Sequence, residues 1–556
     1  MKKDSFLKGT LIASIAIIIT KILGILYVIP FYKIIGENGG VLYSYAYNIY
    51  NLFLNISTAG IPIAISMIIS EYVTLGKLDA KERTFSVGRK IILTFSIISF
   101  LVVFIFSDYL AMFLVNGVEG ANPIKDISLV IKAISISLII TPYISVLRGY
   151  LQGHKFIAPG SISQVWEQVI RIAIILIGSY LSINVFHSSI PVGVAVALTG
   201  AFFGALGAYI YLKAKVNKNK DLFEVDDKKD AISNKSLGKK IVFYCIPLII
   251  ISITNDLYTI VDMKLIIKGL YMIGFSAEKC ELISSIVCTW APKICMIISA
   301  ISMGLITSLI PHIIESYTKK DYKSSNSIFN QAISTIVVVA LPLTVGIMIL
   351  SSEVYHVFYG SSIYGPKILA ISAIVSIILS TLSVMNTALQ GFKKFKLVII
   401  STLIGLVLNA LLDIPMILLL DKLNLTPYFG TSIATIIGGL TSMTIILVYL
   451  KKELNFEYFP IIKSISKAII PLMVMTLVVF GISFIVGKPS SMILIIVKIG
   501  IIGIIGMIIY LFLLYKNGGL YLIFGKEQID SILKRIHLKW WVLIFLFCFT
   551  ILIDWY

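Results

Sequence analysis

Long apolar stretches constrain this chain more than any other feature of its sequence. A helix that crosses a membrane needs about 20 mainly apolar residues. Fourteen segments reach that length, near residues 9–35, 41–70, 90–116, 127–148, 159–183, 190–212, 241–263, 283–311, 328–351, 367–390, 397–420, 430–450, 464–487 and 490–515. We number them as spans 1–14. The sequence therefore predicts an all-α polytopic membrane protein with about 14 transmembrane helices.

Composition supports this prediction and excludes several classes of protein. Of the 556 residues, 58% are hydrophobic and 13% are charged, whereas a soluble domain has about 45–50% apolar and about 25% charged residues. Such a chain has too much apolar surface for a cytosolic enzyme, a secreted disulfide scaffold or a nucleic-acid-binding protein. The five cysteines include no C-x-x-C pair, so we expect no metal site.

The positions of Lys and Arg predict the orientation in the membrane. If the N-terminus is cytoplasmic, 33 of the 47 basic residues lie in cytoplasmic segments, 8 in outer loops and 6 within spans. Because cytoplasmic loops are rich in Lys and Arg, this bias predicts a cytoplasmic N-terminus. It also accounts for the net charge of +19 without a nucleic-acid partner.

The two ends of the chain have different expected structures. No small-residue cleavage site follows the first apolar run, so we expect an uncleaved first span rather than a signal peptide. Near the C-terminus, residues 540–556 have an apolar core that is short for a span, with Trp540 and Trp555 near its two ends. This tail is either a thin fifteenth span or an interfacial hairpin.

Two pairs of segments indicate an internal duplication. The segment Ser145–Lys155 resembles Ser383–Lys393, 238 residues later, and both contain Leu-Gln-Gly followed by Lys at the same spacing. Gly60–Glu71 similarly resembles Gly304–Glu315. Both matches are six spans apart, so we expect parallel six-helix repeats, which are a transporter architecture. Chance similarity between Ile-, Leu- and Ser-rich helices is the alternative.

This duplication predicts the division of the chain. Spans 1–6 form a first half and spans 7–12 form a second half, followed by two appended helices. The expected boundaries are 1–212, a cytoplasmic linker at 213–240, 241–450, spans 13 and 14 at 451–515, and a charged segment with a short apolar tail at 516–556.

Polar residues within the spans are candidate functional residues. A charged side chain at the bilayer centre costs about 2.5–3.5 kcal/mol, so it faces the bundle interior or water. Three spans carry polar residues on one helical face: Asn48, Asn51 and Asn55 in span 2; Gln164, Glu167, Gln168 and Arg171 in span 5; and Asn255, Tyr258, Thr259 and Asp262 in span 7, with Asp256 beside them. The asparagines either line a cavity or join helices by hydrogen bonds.

Charged residues in the spans are interpreted individually. Glu167 and Arg171 are four residues apart and can pair on one helix face. We expect Lys132, Lys467 and Lys498 either to extend their ammonium groups toward an interface or to lie nearer an interface than the predicted span boundaries indicate. Lys21 and Lys293 have no acidic residue nearby in sequence, so we interpret them as ligands of an anionic substrate.

Two segments carry a family resemblance. Arg148-Gly-Tyr-Leu-Gln-Gly-His and Ser163-Gln-Val-Trp-Glu-Gln-Val-Ile-Arg171 resemble the polysaccharide-exporter branch of the multidrug/oligosaccharidyl-lipid/polysaccharide exporter superfamily. The resemblance is to the stage V sporulation protein B and YtgP group, which is related to MurJ-type lipid II flippases. It extends from Gly9 to about residue 515.

The resemblance implies a fold and a function. The implied fold is a two-lobed bundle of fourteen helices, similar to multidrug exporters and MurJ, with a central cavity lined by spans 1, 2, 7 and 8. The implied function is movement of undecaprenyl-diphosphate-linked sugars across the bacterial plasma membrane by alternating access. The cargo is lipid II or a related cell-wall, peptidoglycan or spore polysaccharide precursor.

The resemblance also implies residue roles. Basic positions thought to hold the diphosphate in the family fall on Lys21 and Lys293, which keep the charge but lack the planar guanidinium fork. Other charged positions of the MurJ type fall here on Tyr27, near Asn55 and on Met296. The cavity is therefore expected to carry fewer charges than in that subgroup.

From these observations we expect the following site residues. Lys21 and Lys293 bind the diphosphate. The polar lining of the cavity comprises Asn48, Asn51, Asn55, Asn255 and Asp262. A structural or gating set comprises Arg148, Gln152, Glu167 and Arg171. Asp256 and Asp262 are candidates for a coupling-ion site. We expect no catalytic residue, no bound metal and no cofactor other than a coupling ion, either H⁺ or Na⁺.

The expected partners are a lipid-linked oligosaccharide and membrane lipids, with cell-wall synthesis enzymes as candidates and no nucleic acid. The oligomeric state is open, with a monomer favoured. Two alternatives remain. A cation-coupled multidrug exporter of the same superfamily would have an acidic, aromatic-lined pocket. A membrane glycosyltransferase or polymerase would need a large outer loop with carboxylates, but the first outer loop offers only Glu37.

Overall fold

The computed structural model describes residues 19–115, 122–154, 156–218, 232–489 and 491–524, with single positions at 16, 118, 120 and 529. These residues are almost entirely helical and include no strand. Thirteen helical segments among them are long and apolar enough to cross a membrane, and they match predicted spans 2–14. Most of predicted span 1 before residue 19, and the tail at 540–556, lie outside the described residues.

The helices that form the spans are longer than predicted. Several predicted spans consist of more than one helix, and short helices lie in some connections. In chain order the helices are Val28–Thr58, Ile61–Thr74, Leu78–Ile105, Ser107–Val115, Ile124–Ser135, Ser137–Gly153, Ile157–Tyr180, Ile190–Asn217, Asn234–Met272, Ala277–Ser285, Ala291–Thr318, Tyr322–Ile349, Ser351–Tyr359, Gly365–Gly391, Phe395–Lys422, Gly430–Leu454, Phe459–Val486, Met492–Lys516 and Gly519–Phe524. Spans 6 and 7 extend into the predicted linker 213–240 by several residues each.

Glycines produce the first two breaks in the chain. At Gly36 the helix Val28–Thr58 bends with a φ of 67°, which divides it into the end of span 1 and the start of span 2. Gly60, with a φ of 75°, separates Val28–Thr58 from Ile61–Thr74 within span 2. Because only glycine adopts positive φ without steric cost, these two residues set where the chain turns. We call the two ends of the bundle the Gly36 end and the Gly76 end. Gly36 lies in the connection between spans 1 and 2, and Gly76 lies in the connection between spans 2 and 3, at the opposite end.

Two spans contain wide π-helical turns. Leu181–Val185 extends span 5 beyond Tyr180, and Ile286–Trp290 joins the two helices of span 8. A π turn holds more residues than an α turn, and such turns occur frequently at functional sites. The π turn of span 8 lies directly before Lys293.

The outer surface of the bundle is apolar. Side chains such as Phe243, Phe484, Ile485 and Ile493 are between 74% and 84% exposed. These exposures are costly in water and are expected for helices that face lipid. The chain is therefore a multi-pass membrane protein.

Four groups of buried apolar side chains show how the two halves pack. The largest group lies toward the Gly36 end and contains residues of both halves, for example Phe31, Trp290 and Tyr355. Two other groups lie toward the Gly76 end, one in each half; Leu151 belongs to the first and Phe392 to the second. The described side chains thus share one core at the Gly36 end and form separate cores at the Gly76 end.

Span 7 contributes to both halves. Its first part, including Leu237 and Ile241, packs in the core of the first half, while Ile251 packs in the core of the second half. Lys240 also forms an ion pair with Glu71 of span 2, with 2.7 Å between Nζ and Oε1. The long helix Asn234–Met272 therefore connects the two halves along its length.

Spans 13 and 14 pack beside span 9 through a fourth apolar group that includes Val338, Met475 and Tyr510. Lys498 of span 14 is only 5% exposed, and its ammonium group pairs with Glu353 at 2.6 Å. As expected, the ammonium group of Lys498 extends toward the end of the span, to the carbonyl oxygen of Gly487. It is buried there, however, and pairs with Glu353 on the short helix Ser351–Tyr359.

Candidate functional site

Spans 2 and 8 meet through buried hydrogen bonds on the Gly36 side of the bundle. The hydroxyls of Ser44 and Thr289 lie 2.6 Å apart. The Asn48 amide donates to Thr289 Oγ1 at 2.8 Å and to the Ser44 carbonyl oxygen at 2.9 Å. Asn48 is 8% exposed, so the structure places it in the contact between the two halves rather than on an open cavity wall.

Lys293 lies beside this contact, inside an aromatic cage formed by Tyr27, Tyr43, Tyr47 and Trp290. Its ammonium nitrogen is 4.4 Å from the ring centre of Tyr43 and 4.8, 5.2 and 5.4 Å from those of Trp290, Tyr47 and Tyr27. It also donates a hydrogen bond of 3.1 Å to Tyr27 Oη. Distances within about 6 Å give favourable cation–π interactions.

The aromatic cage joins the two halves. Tyr27, Tyr43 and Tyr47 come from spans 1 and 2, whereas Trp290 and Lys293 come from span 8. Within the described part of the chain Lys293 forms no ion pair. The rings and one hydroxyl stabilise its charge, which leaves the ammonium available to an anion.

Lys21 lies on span 1 and is half-buried. It also has no ion pair with any described residue. Gly24 follows one helical turn later, and a β-carbon there would lie 3.4 Å from Nε2 of Gln168. The face of span 1 that carries Lys21 is therefore directed toward span 5.

Spans 4 and 5 form a cluster of charges, which we call the arginine cluster: Arg148 from span 4, with Ser163, Glu167 and Arg171 from span 5. Glu167 accepts from Arg148 at 2.8 Å and from Arg171 at 2.5 Å, with one oxygen for each arginine. Arg148 Nε donates to Ser163 Oγ at 2.9 Å. Gln152 is exposed and, among the described residues, forms no hydrogen bond with this cluster.

The remaining predicted polar residues are dispersed. The Asn55 amide donates to Asp256 at 2.7 Å, which joins spans 2 and 7. Asn51 is half-buried, and no partner for it is found in the described residues. Asp256 and Asp262, expected to act together, have different neighbours, because Asp262 is directed toward spans 11 and 12.

A cavity of about 310 Å³ lies within the second half. Its walls come from spans 7, 8, 10 and 12. Polar residues on them include Asn255, Asp262, Asn386, Gln390 and Thr435. Asp262 is part of the wall of this cavity, together with these other polar side chains.

At the wall of this cavity lies an acidic cluster of Asp262, Asn409, Asp413 and Thr435. Thr435 donates to Asp262 at 3.0 Å, and the Asn409 amide donates to Asp413 at 3.1 Å. The carboxyl groups of Asp262 and Asp413 lie within hydrogen-bonding reach of each other. Asp413 is fully buried, so two adjacent carboxyl groups occupy an apolar region with no described lysine or arginine bonded to them.

The acidic cluster also has oxygen atoms without hydrogen-bond partners among the described residues. These are Asp262 Oδ1, Asn409 Oδ1 and Asp413 Oδ2. Buried oxygens that lack donors are costly, and hard cations prefer oxygen ligands. The arrangement of the acidic cluster is therefore chemically suited to a monovalent cation or a proton.

The sequence analysis missed Asn409, Asp413 and Thr435. Asp413 carried a usable signal, since an acidic residue in the middle of an apolar span is a functional candidate by default. The pairing of Asp413 with Asp262 carried no such signal, because these residues are far apart in the chain.

The offset of 238 residues seen in the sequence recurs in the packing. A β-carbon at Gly204 would lie 2.5 Å from the carbonyl oxygen of Glu167 and 3.1 Å from Cβ of Arg171, and one at Gly438 would lie 2.5 Å from the carbonyl oxygen of Gly405 and 3.3 Å from Cβ of Asn409. Adding 238 takes Glu167 to Gly405 and Arg171 to Asn409. Corresponding places in the two halves thus hold the arginine cluster in one case and the acidic cluster in the other.

Comparison with known proteins gives three kinds of similarity. A family model described as polysaccharide biosynthesis protein matches residues 6–277. The lipid II flippase MurJ of Bacillus subtilis is 30% identical over 94% of this chain and 97% of its own length. Stage V sporulation protein B of the same organism is 26% identical over 65% of this chain and 68% of its own.

Two solved structures have similar folds. One is a lipid II flippase MurJ in an inward closed conformation, with a TM-score of 0.62 and 16% identity over 92% of this chain and 99% of that one. The other is an inward-facing multidrug transporter of the MATE family, with a TM-score of 0.63 and 14% identity over 80% of this chain and 98% of that one. At these identities the similarity extends to the fold alone.

Proposed function

Because this chain belongs to the family of the lipid II flippase MurJ, we propose that it moves an undecaprenyl-diphosphate-linked sugar precursor across the bacterial plasma membrane. The cargo is lipid II or a related cell-wall or spore polysaccharide intermediate. The direction is from the cytoplasmic to the outer leaflet. The protein acts as a transporter rather than as an enzyme.

The caged lysine is the observation that supports this proposal most directly. Lys293 carries a cation inside the bundle with aromatic rings and Tyr27 as its described partners. A diphosphate is the part of the proposed cargo that needs a cation during passage, and charge-assisted hydrogen bonds to phosphate are among the strong ones. Lys21, half-buried on span 1, supplies the second positive charge.

The packing of the two halves supports alternating access. The halves share a core at the Gly36 end and have separate cores at the Gly76 end. With the N-terminus in the cytoplasm, as the distribution of Lys and Arg predicts, the Gly36 end is the outer end. In this conformation the halves are then joined at the outer end and packed separately at the cytoplasmic end, as an inward-facing state requires.

The experiment measures lipid II at the outer surface of cells whose own flippases are depleted. An added enzyme that cleaves lipid II only from outside reports how much has crossed. We expect the wild type to restore cleavage and the Lys21→Ala, Lys293→Ala double variant to restore less than a tenth of it. Lys319→Ala is the matched control, because Lys319 is exposed and pairs with Glu315.

The proposal about lipid II is refuted if the wild type reaches the membrane and restores no cleavage. If the double variant restores as much cleavage as the wild type, the two lysines do not hold the diphosphate.

We further propose that the acidic cluster binds the coupling ion. An unpaired buried charge costs several kcal/mol, so two buried carboxyl groups are both ionised only when a cation binds between them. Without a cation the pair holds a proton. Asp262 and Asp413 supply the charge, and the unpartnered oxygen of Asn409 and the hydroxyl of Thr435 complete an oxygen-rich site. Asp256, bonded to Asn55, is not part of this site.

Sodium-dependent stability tests the ion site. An ion that binds only the folded protein stabilises it by about 2.7 kcal/mol when present at 100 times its dissociation constant. We expect NaCl to raise the melting temperature of the purified protein above its value in equimolar choline chloride. Asp413→Asn abolishes this difference, whereas Asp256→Asn retains it. A response to Na⁺ that survives in Asp413→Asn would place the ion elsewhere, and no response in the wild type leaves the proton as the coupling ion.

A further inference from the structure

The arginine cluster has N–H donors that its internal hydrogen bonds do not use. It contains two guanidinium groups and one carboxylate, so its net charge is +1. Glu167 takes one terminal nitrogen of Arg148 and one of Arg171. Arg171 Nε is buried and has no partner among the described residues. Since an arginine has five N–H donors, most of the donors of Arg171 remain available.

Arg171 interacts electrostatically with tyrosines of the aromatic cage. These are Tyr43 and Tyr47, with Tyr50 following them on span 2. Lys293 lies over the rings of Tyr43 and Tyr47. Two cations from different halves thus interact with the same pair of tyrosines.

The cluster also faces the helix that carries the other lysine. Gln168, beside Glu167 on span 5, lies against Gly24 of span 1, one turn from Lys21. The side chain of Arg171 remains 22% exposed, so part of it is accessible from the space between the helices.

We propose that Arg171 is a third ligand of the substrate diphosphate. This inference rests on the proposed function. Lys21 and Lys293 are point charges, and an ammonium group does not fix the orientation of a phosphate. The planar guanidinium of Arg171 binds two phosphate oxygens in a fixed geometry. Glu167 accepts from Arg171 and Arg148 and so competes with the phosphate for their donors and their charge.

The corresponding position in the second half supports the role of Arg171 in binding an anion. There Asn409 replaces Arg171, and the acidic cluster surrounds it. The first half therefore presents cationic groups and the second half anionic groups at the same position of the repeat. At this position of the repeat, therefore, only the first half offers a cation to the anionic headgroup.

The test measures how purified protein in detergent binds three probes by native mass spectrometry: undecaprenyl diphosphate, undecaprenyl monophosphate and undecaprenol. Arg171→Lys keeps the charge and removes the planar fork. We expect it to weaken binding of the diphosphate roughly 10- to 100-fold, the loss of one charge-assisted hydrogen bond. Undecaprenol binding and the melting temperature without ligand should stay unchanged.

Arg83→Lys is the matched control. Arg83 forms the same type of pair with a carboxylate four residues away, Asp79, at 2.6 Å and with similar exposure. It should bind all three probes as the wild type does. If Arg171→Lys melts at a lower temperature but binds the diphosphate within twofold of the wild type, the arginine cluster is structural and the inference is wrong.

Glu167→Gln provides an independent variant if Arg171→Lys fails to fold. It raises the net charge of the arginine cluster by one, so we expect diphosphate binding to strengthen severalfold. Unchanged or weaker binding contradicts the inference. Lys293→Ala separates the two proposals. If the wild type binds the diphosphate no better than undecaprenol, the proposed function fails; if Lys293→Ala weakens binding and Arg171→Lys does not, only the role of Arg171 fails.

Discussion

The buried ion pair between Lys498 and Glu353 gives a quantitative prediction about how span 14 is held. The ammonium group of Lys498 donates to Glu353 at 2.6 Å, to the Gly487 carbonyl oxygen at 2.6 Å and to the Ser483 carbonyl oxygen at 3.3 Å. Its three donors are therefore all used. The two side chains are 3% and 10% exposed, so water cannot replace either partner.

Lys498→Met should destabilise the docking of spans 13 and 14 by about 3–5 kcal/mol, because the variant leaves a buried carboxylate without its cation. The double variant Lys498→Met, Glu353→Met removes both charges and should recover most of this loss, since apolar replacements of a buried pair are often neutral or stabilising. Glu353→Gln should cost less than Lys498→Met, because the amide oxygen still accepts and the two carbonyl oxygens remain.

Hydrogen–deuterium exchange of peptides from Met492–Lys516 measures these differences. A loss of about 3–5 kcal/mol corresponds to exchange that is roughly 100- to 4,000-fold faster. Four cysteines of the described residues, which include Cys280 and Cys288, are buried, and they report through a thiol-reactive dye whether the rest of the bundle stays folded. A single variant that loses less than about 1 kcal/mol, or a double variant as unstable as Lys498→Met, would refute the reasoning.

Three further predictions follow from the packing and the orientation. Gly149→Ala places a β-carbon 2.7 Å from the carbonyl oxygen of Pro62 and should lower stability in detergent melts by about 1–3 kcal/mol; Gly500→Ala, with nothing within 4 Å, should leave the melting temperature unchanged. Tyr27→Phe removes the hydroxyl that accepts from the caged lysine but keeps the ring, so we expect a loss of about 0.5–1.5 kcal/mol in the same melts and retained lipid II export. Alkaline phosphatase fused after Ser361 should be active in cells, and an inactive fusion would reverse the predicted orientation.

The spans and the fold class were predictable from the sequence because they depend on local composition. A run of 20 apolar residues identifies a membrane helix wherever it occurs, and the thirteen helical segments found among the described residues match the predicted spans 2–14. The lone cation at Lys293 was identified for the same reason. Its aromatic cage was not, because the rings of Tyr27 and Tyr43 come from helices more than 240 residues away in the chain.

Long-range partners explain the other differences. Glu353 lies 145 residues from Lys498, so no local sequence pattern indicated that the two residues pair. The general tendency of lysine to reach an interface did not predict a buried carboxylate partner. Asp262 was identified as a polar residue of span 7, but its neighbours in spans 11 and 12 follow only from the helix packing. Periodicity shows which face of a helix is polar and does not show which helix it meets.

The π turn at Ile286–Trp290 contains one residue more than an α-helical turn would, so span 8 can change its winding at this point. Each residue of an α-helix advances about 100° around the axis. Rewinding this turn to α-helical geometry would shift the register by one residue and rotate Lys293 by about that angle relative to the helix before the turn. A change in winding over a few residues would therefore carry the ammonium away from the ring of Tyr43.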